Sequence, residues 1–343
     1  MNKEIRIRDK VIGNGNPPFV IAEMACAHDG IFEKALKLVD AAVDADADAV
    51  QLQFFIPDET VTPNHPVYDV VKKIAFDAES WRKIFKHARG KNIAVFVCAY
   101  DVPSVNLAIE CRADAIKLNS ADLSNPDVLS AVAASGIPFT LGTGASTLDE
   151  IANGIAFASS HGARNIILMH GVQNFPTKIE DLNISRVELL KEVFDMPVGY
   201  HDHVDGEDPF GKIVDLIAIG LGACVIEKHI TCDRSEKGID YQAALEPAEF
   251  KQFVAQVRKA FVAYGSKKLR PFTESDIRYR KFQKKSVVAA RAIKAGEIIT
   301  RNDVRFIRNV EPGLAPIHFP GIDGKKAKRD FVAFENILLH EVG

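Results

Sequence analysis

Two neighbouring parts of this sequence carry histidines at a spacing that suits a bound metal ion. His201 and His203 are two residues apart at the end of one apolar run, and His229 ends the next one. Residues two apart on a strand share a face, and neighbouring strands lie about 4.8 Å apart, so His203 and His229 can reach one divalent cation. Two imidazole ligands leave positions open for water and substrate, as a catalytic metal requires. The spacing equally allows a metal-free layer of hydrogen-bonded histidines, and a three-histidine site that adds His201 is a further option.

Lys117 is the main positive charge expected inside the fold. It can bind a phosphate or carboxylate substrate, form a Schiff base if burial or a second cation lowers its pKa, or pair with a carboxylate such as Asp122. Gly142 and Gly144 can present backbone N–H groups to an anion, or only form a turn. Most other apolar runs also end in polar side chains, which a fully apolar interior would not need, so the pattern predicts an active site. These side chains are Glu23, His28, Gln51, Gln53, Asn119, Ser120, His170, Gln173, Asp202, Glu227 and Lys228.

Eight short apolar runs alternate with amphipathic segments over the first 265 residues and predict the elements that position these side chains. The predicted strands are 19–23, 49–55, 93–99, 115–120, 138–143, 165–170, 196–201 and 223–229. Predicted helices between them include 32–43, 80–89, 125–134, 148–159, 184–194 and 209–219. Alternation of this kind implies parallel strands joined by crossover helices. Their number favours closure into a (β/α)8 TIM barrel over an open doubly wound sheet, with the active site at the carboxyl ends of the strands.

The chain changes character after this region. A run rich in positive charge at 266–282 is interpreted as a linker between a barrel domain at 1–265 and a small domain at 283–343. Short strands joined by glycine turns predict that the small domain is β-rich. A domain of this size barely buries enough surface to be stable alone. We therefore expect it to dock on its own barrel or on that of a neighbour.

The overall composition excludes several classes of protein. The 343 residues suggest about two domains at roughly 150 residues each, and a net charge of −3 argues against a nucleic-acid-binding stripe or a polybasic membrane patch. No apolar run approaches the roughly 18 residues of a membrane span, and the charged N-terminus lacks the apolar core of a secretory signal. The odd number of cysteines, five, with no C-x-x-C pair, indicates free thiols in a reducing cytosol. We expect a cytoplasmic globular protein.

These residues, in this order, resemble the sialic acid (N-acetylneuraminate) synthase family. That family includes synthases of related nonulosonic acids and SpsE-type proteins of spore-coat polysaccharide biosynthesis. The resemblance covers nearly the whole chain, and its C-terminal part is similar to the antifreeze-like (SAF) domain of the family. Matching stretches are 21–30, 47–54, 116–120, 142–144, 175–177, 197–203, 225–229, 233–234, 245–247, 290–297 and 324–329.

The resemblance implies a metal-dependent condensation of phosphoenolpyruvate (PEP) with an open-chain amino sugar such as N-acetylmannosamine. By position, His203 and His229 would hold Mn²⁺ or Mg²⁺. Lys117 and Ser120 would bind PEP, and Glu23 would handle the attacking water or its proton.

The family pattern also implies contacts with the sugar. Asp122 would contact its reacting end and Asp240 would bind its hydroxyl groups. In the family the small domain crosses to the barrel of the partner in a domain-swapped homodimer and supplies an arginine, for which Arg308 is the nearest match. The segment after Arg308 is one residue longer than the family's.

Several positions depart from the family pattern, and most of them surround PEP. Gln51 stands beside Gln53 where the family has a lysine, and a lost lysine removes charge-assisted hydrogen bonds of about 1.5–3 kcal/mol each. His201 stands in place of a serine and, if protonated, would partly replace that charge. The other departures are Ala27, Ala99, Gly142, Gln173 and Phe175.

Together the departures indicate a divergent synthase with a different sugar or a different donor. Gln51, Gln53, Gln173 and His201 are expected to contact substrate. Two alternatives stay open: a metal-dependent sugar aldolase or isomerase that does not use PEP, and a non-catalytic sugar-binding scaffold.

Overall fold

A computed structural model of the chain describes residues 1–13, 15–266 and 268–343. Two compact units follow one another along the chain, Met1–Gly265 and Ser266–Gly343. Among the described residues, no helix is long and apolar enough to cross a membrane. All five cysteines are free thiols.

The first unit opens with an antiparallel hairpin of β1 (Ile5–Ile7) and β2 (Lys10–Ile12). Its buried face is made by Ile5, Ile7 and Ile12, which pack in one apolar cluster with residues at the starts of the barrel strands, such as Phe19 and Val225. The hairpin therefore closes the amino-terminal end of the barrel. It was not anticipated from the sequence, although alternating isoleucines are typical of a half-buried strand.

Eight parallel strands close into a barrel, which confirms the predicted architecture. The strand order around the barrel is β10-β3-β4-β5-β6-β7-β8-β9. The strands are β3 (Phe19–Glu23), β4 (Ala49–Phe54), β5 (Ala94–Ala99), β6 (Ala115–Leu118), β7 (Phe139–Gly142), β8 (Ile166–His170), β9 (Val198–Asp202) and β10 (Val225–His229). Because these strands are buried on both faces, they read as nearly continuous apolar runs, which is why the sequence located all eight.

Helices cover the outside of the barrel, and the longer ones each bury an apolar stripe against the strands, whereas the short helix Pro57–Thr60 buries no residue and Tyr68–Ile74 only Ile74. Leu38, Trp81, Leu129 and Phe250 are among the helical residues of this shared core. The helices are α1 (Phe32–Asp44), α2 (Pro57–Thr60), α3 (Tyr68–Ile74), α4 (Ala78–Gly90), α5 (Val102–Glu110), α6 (Pro126–Ser135), α7 (Leu148–Ser160), α8 (Arg186–Phe194), α9 (Val214–Gly220) and α10 (Pro247–Tyr264). The helix predicted at 209–219 starts only at Val214, because Phe210–Lys212 forms a 3-10 turn.

The second unit contains α11 (Glu274–Gln283), β11 (Lys285–Ala289) and β12 (Val304–Arg308). The two strands pair antiparallel, and several isolated bridges extend the β structure, in agreement with the predicted β-rich SAF-type domain. Its core is a cluster that includes Val287, Ile299 and Phe331.

Helix α11 occupies the second half of the segment that was interpreted as a linker, 266–282, and ends one residue beyond it. The helix begins because Thr273 and Asp276 form a capping box, in which each side chain accepts the backbone N–H of the other. No residue of α11 is buried, so the hydrophobic pattern used to detect helices was missing. Lys267 of the predicted linker lies outside the described residues.

Candidate active site

A buried ion-pair cluster crosses the inside of the barrel. The Lys117 Nζ atom on β6 donates a hydrogen bond to Glu227 Oε1 on β10 and lies 3.4 Å from Glu23 Oε2 on β3. Gln51 Nε2 on β4 donates to the same Glu23 oxygen, and the Ala25 N–H donates to Glu23 Oε1 at 2.6 Å. We call the four side chains Glu23, Gln51, Lys117 and Glu227 the inner well; none is more than 5% exposed.

Burial and charge set the protonation states in the inner well. Burial raises the pKa of Glu23 to about 8, with Lys117 opposing the shift and Glu227 adding to it. Glu23 therefore holds a proton at neutral pH. Burial disfavours the charged form of Lys117, but the carboxyl groups of Glu227 and Glu23 outweigh it and raise the pKa of the ammonium group. A charged Lys117 does not suit the Schiff-base alternative, which needs a lowered pKa.

Three polar atoms facing the inner well have no hydrogen-bond partner among the described residues. They are Gln51 Oε1, Glu227 Oε2 and His201 Nδ1. A buried polar group left unpaired costs about 1–3 kcal/mol, so such groups in a folded protein are usually paired with water or a ligand. The cluster therefore has the character of a site that receives a polar ligand.

His201 lies beside Glu227, its register partner on β10, and is fully buried. The Gln173 amide nitrogen lies 3.3 Å from His201 Nε2, so the amide donates to the ring and the ring proton sits on Nδ1. Burial and then Lys117 lower the pKa of His201 well below its ordinary value. His201 is therefore neutral, and the expectation that it replaces the missing lysine charge is wrong.

The His201 ring fills the space above Gly171. A Cβ atom added at Gly171 would lie 1.5 Å from His201 Cδ2. Only glycine is compatible with this ring position. Gly171 carries no signal of this role in the sequence, because the contact spans two strands and leaves no local pattern.

His203 and His229 converge at the carboxyl ends of β9 and β10. Their ring centroids are 5.1 Å apart with an interplanar angle of 72°. His203 Nδ1 donates to the Val172 carbonyl at 2.6 Å, which leaves Nε2 as the free acceptor nitrogen. Phe175 packs over His203 at 4.3 Å and meets His229 at 5.6 Å between ring centroids.

These two histidines fit a divalent metal by their chemistry. Burial lowers the pKa of His203 and of His229, and the repulsion that two protonated rings would feel lowers the pKa of His229 further, so both rings are neutral as ligation requires. A carbonyl bound to the second ring nitrogen, as in His203, is the usual support of a metal-ligating histidine. Within the described ranges no group of three or more His, Cys, Asp or Glu side chains could hold a metal. The three-histidine option is therefore not formed.

Asp122 lies apart from the inner well. It belongs to the 3-10 turn Ser120–Asp122 after β6, where Asn125 Nδ2 donates to Asp122 Oδ1 at 3.1 Å. The suggested pairing of Lys117 with Asp122 is therefore wrong, since the lysine contacts Glu227 and Glu23 instead. Burial raises the pKa of Asp122.

A cavity of about 490 Å³ adjoins the same turn. Ser120 and Gln173 both line it, together with Asn119, Ser124, Gly144, Ser146 and Glu150 among others. Gly142 permits this arrangement, because a Cβ atom there would lie 2.8 Å from the Ser120 nitrogen. The cavity brings two of the expected substrate-binding residues together.

Gln53 lies two residues beyond Gln51 on β4 and is half-buried. The Cys26 thiol donates to Gln53 Oε1 at 2.8 Å, and Gln53 Nε2 donates to the Tyr100 hydroxyl. Burial, and next the Asp240 carboxylate, raise the pKa of the Cys26 thiol. These contacts connect Gln53 with the loop after β3, which carries Cys26.

Asp240 follows β10 in a loop and has a left-handed backbone with φ of 60°. Burial raises the pKa of its carboxyl group to about 6. Arg234, earlier in the loop, binds Glu249 of α10 through its two terminal guanidinium nitrogens and donates to the Ala244 carbonyl at 3.2 Å. The loop is therefore fixed to the helix that follows it.

Asp202 and Lys228 do not belong to the site, contrary to the expectation from their positions at strand ends. Lys228 Nζ contacts Asp202, the Gly211 carbonyl at 2.6 Å and Asp215 Oδ2 of α9 at 3.2 Å. It also lies 5.5 Å from the ring centroid of Phe253 in α10. Both side chains face the helices, because neighbours along a strand point to opposite faces.

Arg308 is the last residue of β12, in the second unit, where it pairs with Lys285. The first unit therefore does not itself contain this expected sugar contact. Glu227, in contrast, is a member of the inner well that received no role in the sequence analysis. Its position two residues before His229 on one strand was the available signal, because both then face the barrel interior.

A closed (β/α)8 barrel with polar side chains converging at the carboxyl ends of its strands is the architecture of an enzyme active site. Residues 38–269 match the NeuB family and residues 284–338 match the SAF domain. The chain belongs to the NeuB family, which confirms the resemblance seen in the sequence.

Similar proteins agree with this assignment. The chain is 30% identical to the N,N'-diacetyllegionaminic acid synthase of Campylobacter jejuni, over 91% of this chain and 96% of that protein. It is 26% identical to the spore coat polysaccharide biosynthesis protein SpsE of Bacillus subtilis, over 98% and 96% of the two chains. The crystal structure of the N-acetylneuraminic acid synthetase of Leptospira borgpetersenii, in complex with citrate, has a TM-score of 0.75 at 32% identity and covers 81% of this chain and 96% of that one. The chain is therefore similar to synthases of sialic-type acids.

Proposed function

We propose that this protein condenses PEP with an open-chain N-acyl amino sugar, similar to N-acetylmannosamine, to give a nonulosonic acid and phosphate. Family membership and the synthase names of the relatives support a reaction of this kind. The observation that carries the proposal is the inner well, in which the charged Lys117 and the protonated Glu23 face unpartnered polar atoms. This well lies beside two neutral histidines, His203 and His229.

The donor would bind next to Lys117, with its anionic groups reaching Ser120 and Gln173 at the adjoining cavity. Water adds to C2 of PEP, C3 forms the new bond to the sugar aldehyde, and phosphate leaves by C–O cleavage. Glu23 is the group that exchanges a proton with this water. A pKa of about 8 suits that role, because a catalytic acid or base works best when its pKa is near the operating pH.

His203 and His229 would hold Mn²⁺ or Mg²⁺, and this ion supplies Lewis-acid polarisation of the aldehyde when it is bound. Phe175 covers both rings and limits the access of water to them. Asp240 would accept hydrogen bonds from sugar hydroxyl groups, and Asp122 would contact the reacting end of the sugar.

Gln51, Gln53 and His201 would complete the polar lining around the substrates. Arg308 would reach the sugar from a second copy of the chain in a domain-swapped homodimer. Sedimentation analysis of the full-length protein tests the dimer, and an Arg308→Ala variant that keeps the dimer but raises the sugar KM is the expected result.

The test of the reaction is phosphate release from PEP in the presence of Mn²⁺ and a panel of 2-acetamido sugars. We expect release only when PEP, metal and one of the sugars are all present. Turnover of a sugar without PEP would instead indicate an aldolase or isomerase. Sugar binding with no turnover and no metal bound would indicate a scaffold.

A further inference from the structure

We propose that Glu227 is a specificity-determining residue that limits how much negative charge a donor can bring to Lys117. The proposal rests on the proposed function in one respect, namely that the donor binds in the inner well as an anion. It adds a rule about charge that family membership does not supply. The neutral side chain of Gln51 is its second component.

The first support is the position of the lysines in the barrel strands. Every residue of these strands is described, and Lys117 and Lys228 are their only lysines. Lys228 faces the helices and is held there by Asp202 and Asp215. Lys117 faces the interior and its ammonium group is already bound to Glu227. An anionic ligand that needs Lys117 must therefore displace or share this contact.

The second support is the charge balance of the inner well. One ammonium group faces two carboxyl groups, and the Glu23 oxygen nearest to it also accepts a hydrogen bond from the uncharged amide of Gln51. Even with Glu23 protonated, Glu227 neutralises the positive charge of Lys117. Each further negative charge on a donor is therefore repelled by Glu227 without a second cation to offset it.

The third support is the free oxygen of Glu227. Its Oε2 atom has no partner in the part of the chain that the structure describes, while Oε1 is bound to Lys117. A free carboxylate oxygen accepts hydrogen bonds only. It suits a hydroxyl group or a protonated oxygen of the ligand and repels an ionised phosphate. The inner well therefore favours an anionic group of single charge, such as a carboxylate, over a doubly charged phosphate.

The test is calorimetric titration of the full-length protein, at fixed Mn²⁺ and pH, with pyruvate, inorganic phosphate and PEP. For Glu227→Gln we expect PEP to bind at least tenfold more tightly and pyruvate less than threefold more tightly. The increase in affinity for inorganic phosphate should lie between these two values. Gln51→Lys should produce the same order by adding a cation. Asp215→Asn is the matched control, because it also removes a buried carboxyl group that pairs with a strand lysine. Here the lysine is Lys228 of β10, which faces the helices. This variant should leave all three affinities unchanged.

The proposal would be overturned if the affinities for the three anions changed equally, if Glu227→Gln bound PEP more weakly, or if no anion bound. Thermal unfolding shows whether Glu227→Gln folds, and if it does not, Gln51→Lys alone decides by the same criteria. The proposed function is tested separately, by measuring phosphate release with the sugar panel. If the affinity changes increase with the charge of the anion but PEP is not turned over, the proposed reaction is rejected and the role of Glu227 is kept. If PEP is turned over but the affinity changes do not depend on charge, the reaction is kept and the role of Glu227 is rejected.

Discussion

The Asp29 carboxylate, in the loop after β3, accepts the backbone N–H of Ile239 at 3.2 Å, one residue before Asp240. The same carboxylate binds Lys34 at 2.5 Å, and Lys34 also binds Glu236 at 2.7 Å. A Cβ atom at Gly238 would lie 2.6 Å from Asp29 Oδ2, so glycine is needed for this close approach. The first barrel loop therefore fixes the loop that carries the expected sugar-binding carboxylate.

Replacing Asp29 with alanine should release the Asp240 loop. Hydrogen bonds to charged groups contribute about 1.5–3 kcal/mol, so we expect the sugar KM to rise roughly tenfold or more with little change in the PEP KM. Steady-state kinetics with each substrate varied in turn measures this. Asp40→Ala is the control, because Asp40 also binds basic side chains, His87 and Lys91, but on the helical surface. A parallel rise of both KM values in Asp29→Ala would contradict the assigned role.

Asp240 should make sugar binding depend on pH. Burial raises the pKa of Asp240 to about 6, so its carboxyl group is ionised above that pH and protonated below it. As the pH falls through 6, the carboxylate loses acceptor capacity and the sugar KM should rise. Asp240→Asn should have a high KM with no such dependence between about pH 5 and 7. An asparagine variant that keeps the wild-type profile would show that another group titrates.

Substituting Gly171 with alanine should destabilise the barrel and disturb His201. Overpacking a core typically costs about 1–3 kcal/mol, and here the added Cβ atom would overlap the His201 ring. The double variant Gly171→Ala with His201→Ser should recover only part of the lost stability, because the smaller side chain removes the ring overlap but the added Cβ atom would still lie 2.3 Å from the His201 backbone oxygen. Urea unfolding of the three variants gives the free energies. Additive losses in the double variant would mean that the two positions do not share this space.

Glu249 should stabilise the protein at neutral pH and not in acid. Burial opposes ionisation, but Arg234, Lys212 and the Glu246 N–H outweigh it and lower the pKa of Glu249 to about 2. Because this pKa is below the ordinary value of 4.5, the stabilisation is full above about pH 4.5 and disappears as the pH falls towards 2. Glu249→Gln should therefore lower Tm at pH 7 and differ little from wild type near pH 2.5. A constant Tm difference at both pH values would exclude the ionic contribution.

His229→Ala should abolish both activity and tight Mn²⁺ binding while the fold is retained. The variant removes one of the two expected ligands, and the paramagnetic resonance signal of free Mn²⁺ reports binding without any turnover. Circular dichroism checks the fold. His161→Ala, on the exposed end of α7, is the control for loss of a histidine and should bind Mn²⁺ like wild type. Wild-type Mn²⁺ binding in His229→Ala would falsify the proposed metal site.

Strand periodicity predicts which residues face the barrel interior, although Asp202 and Lys228 were expected at the site and face the helices. His201 and His203 follow one strand two residues apart, and their rings are neighbours at 5.2 Å between centroids. Periodicity does not say which side chain meets which across the barrel, because that depends on strand tilt and register. For this reason Lys117 was assigned the nearby Asp122 as a possible partner, whereas its contacts are Glu23 and Glu227, more than ninety residues away in sequence.

Elements outside the barrel were harder to predict for a different reason. The β1–β2 hairpin has only three residues in each strand, so the alternation of its isoleucines is too short to distinguish a strand from chance. Helix α11 buries no side chain, so nothing in its pattern distinguishes it from a charged linker. Its capping residues, Thr273 and Asp276, were the one local signal present.

Strand β10 carries opposite charges on consecutive residues, Glu227 and Lys228, and each finds its counterion on a different side of the sheet. A slip of this strand by one position would exchange the two sides. The lysine would then sit beside Lys117 inside the barrel, and the glutamate would sit with Asp202 and Asp215 against the helices. Both misplacements would bury like charges next to each other. The Glu227–Lys228 pair therefore destabilises any shifted register of β10 in the closed barrel.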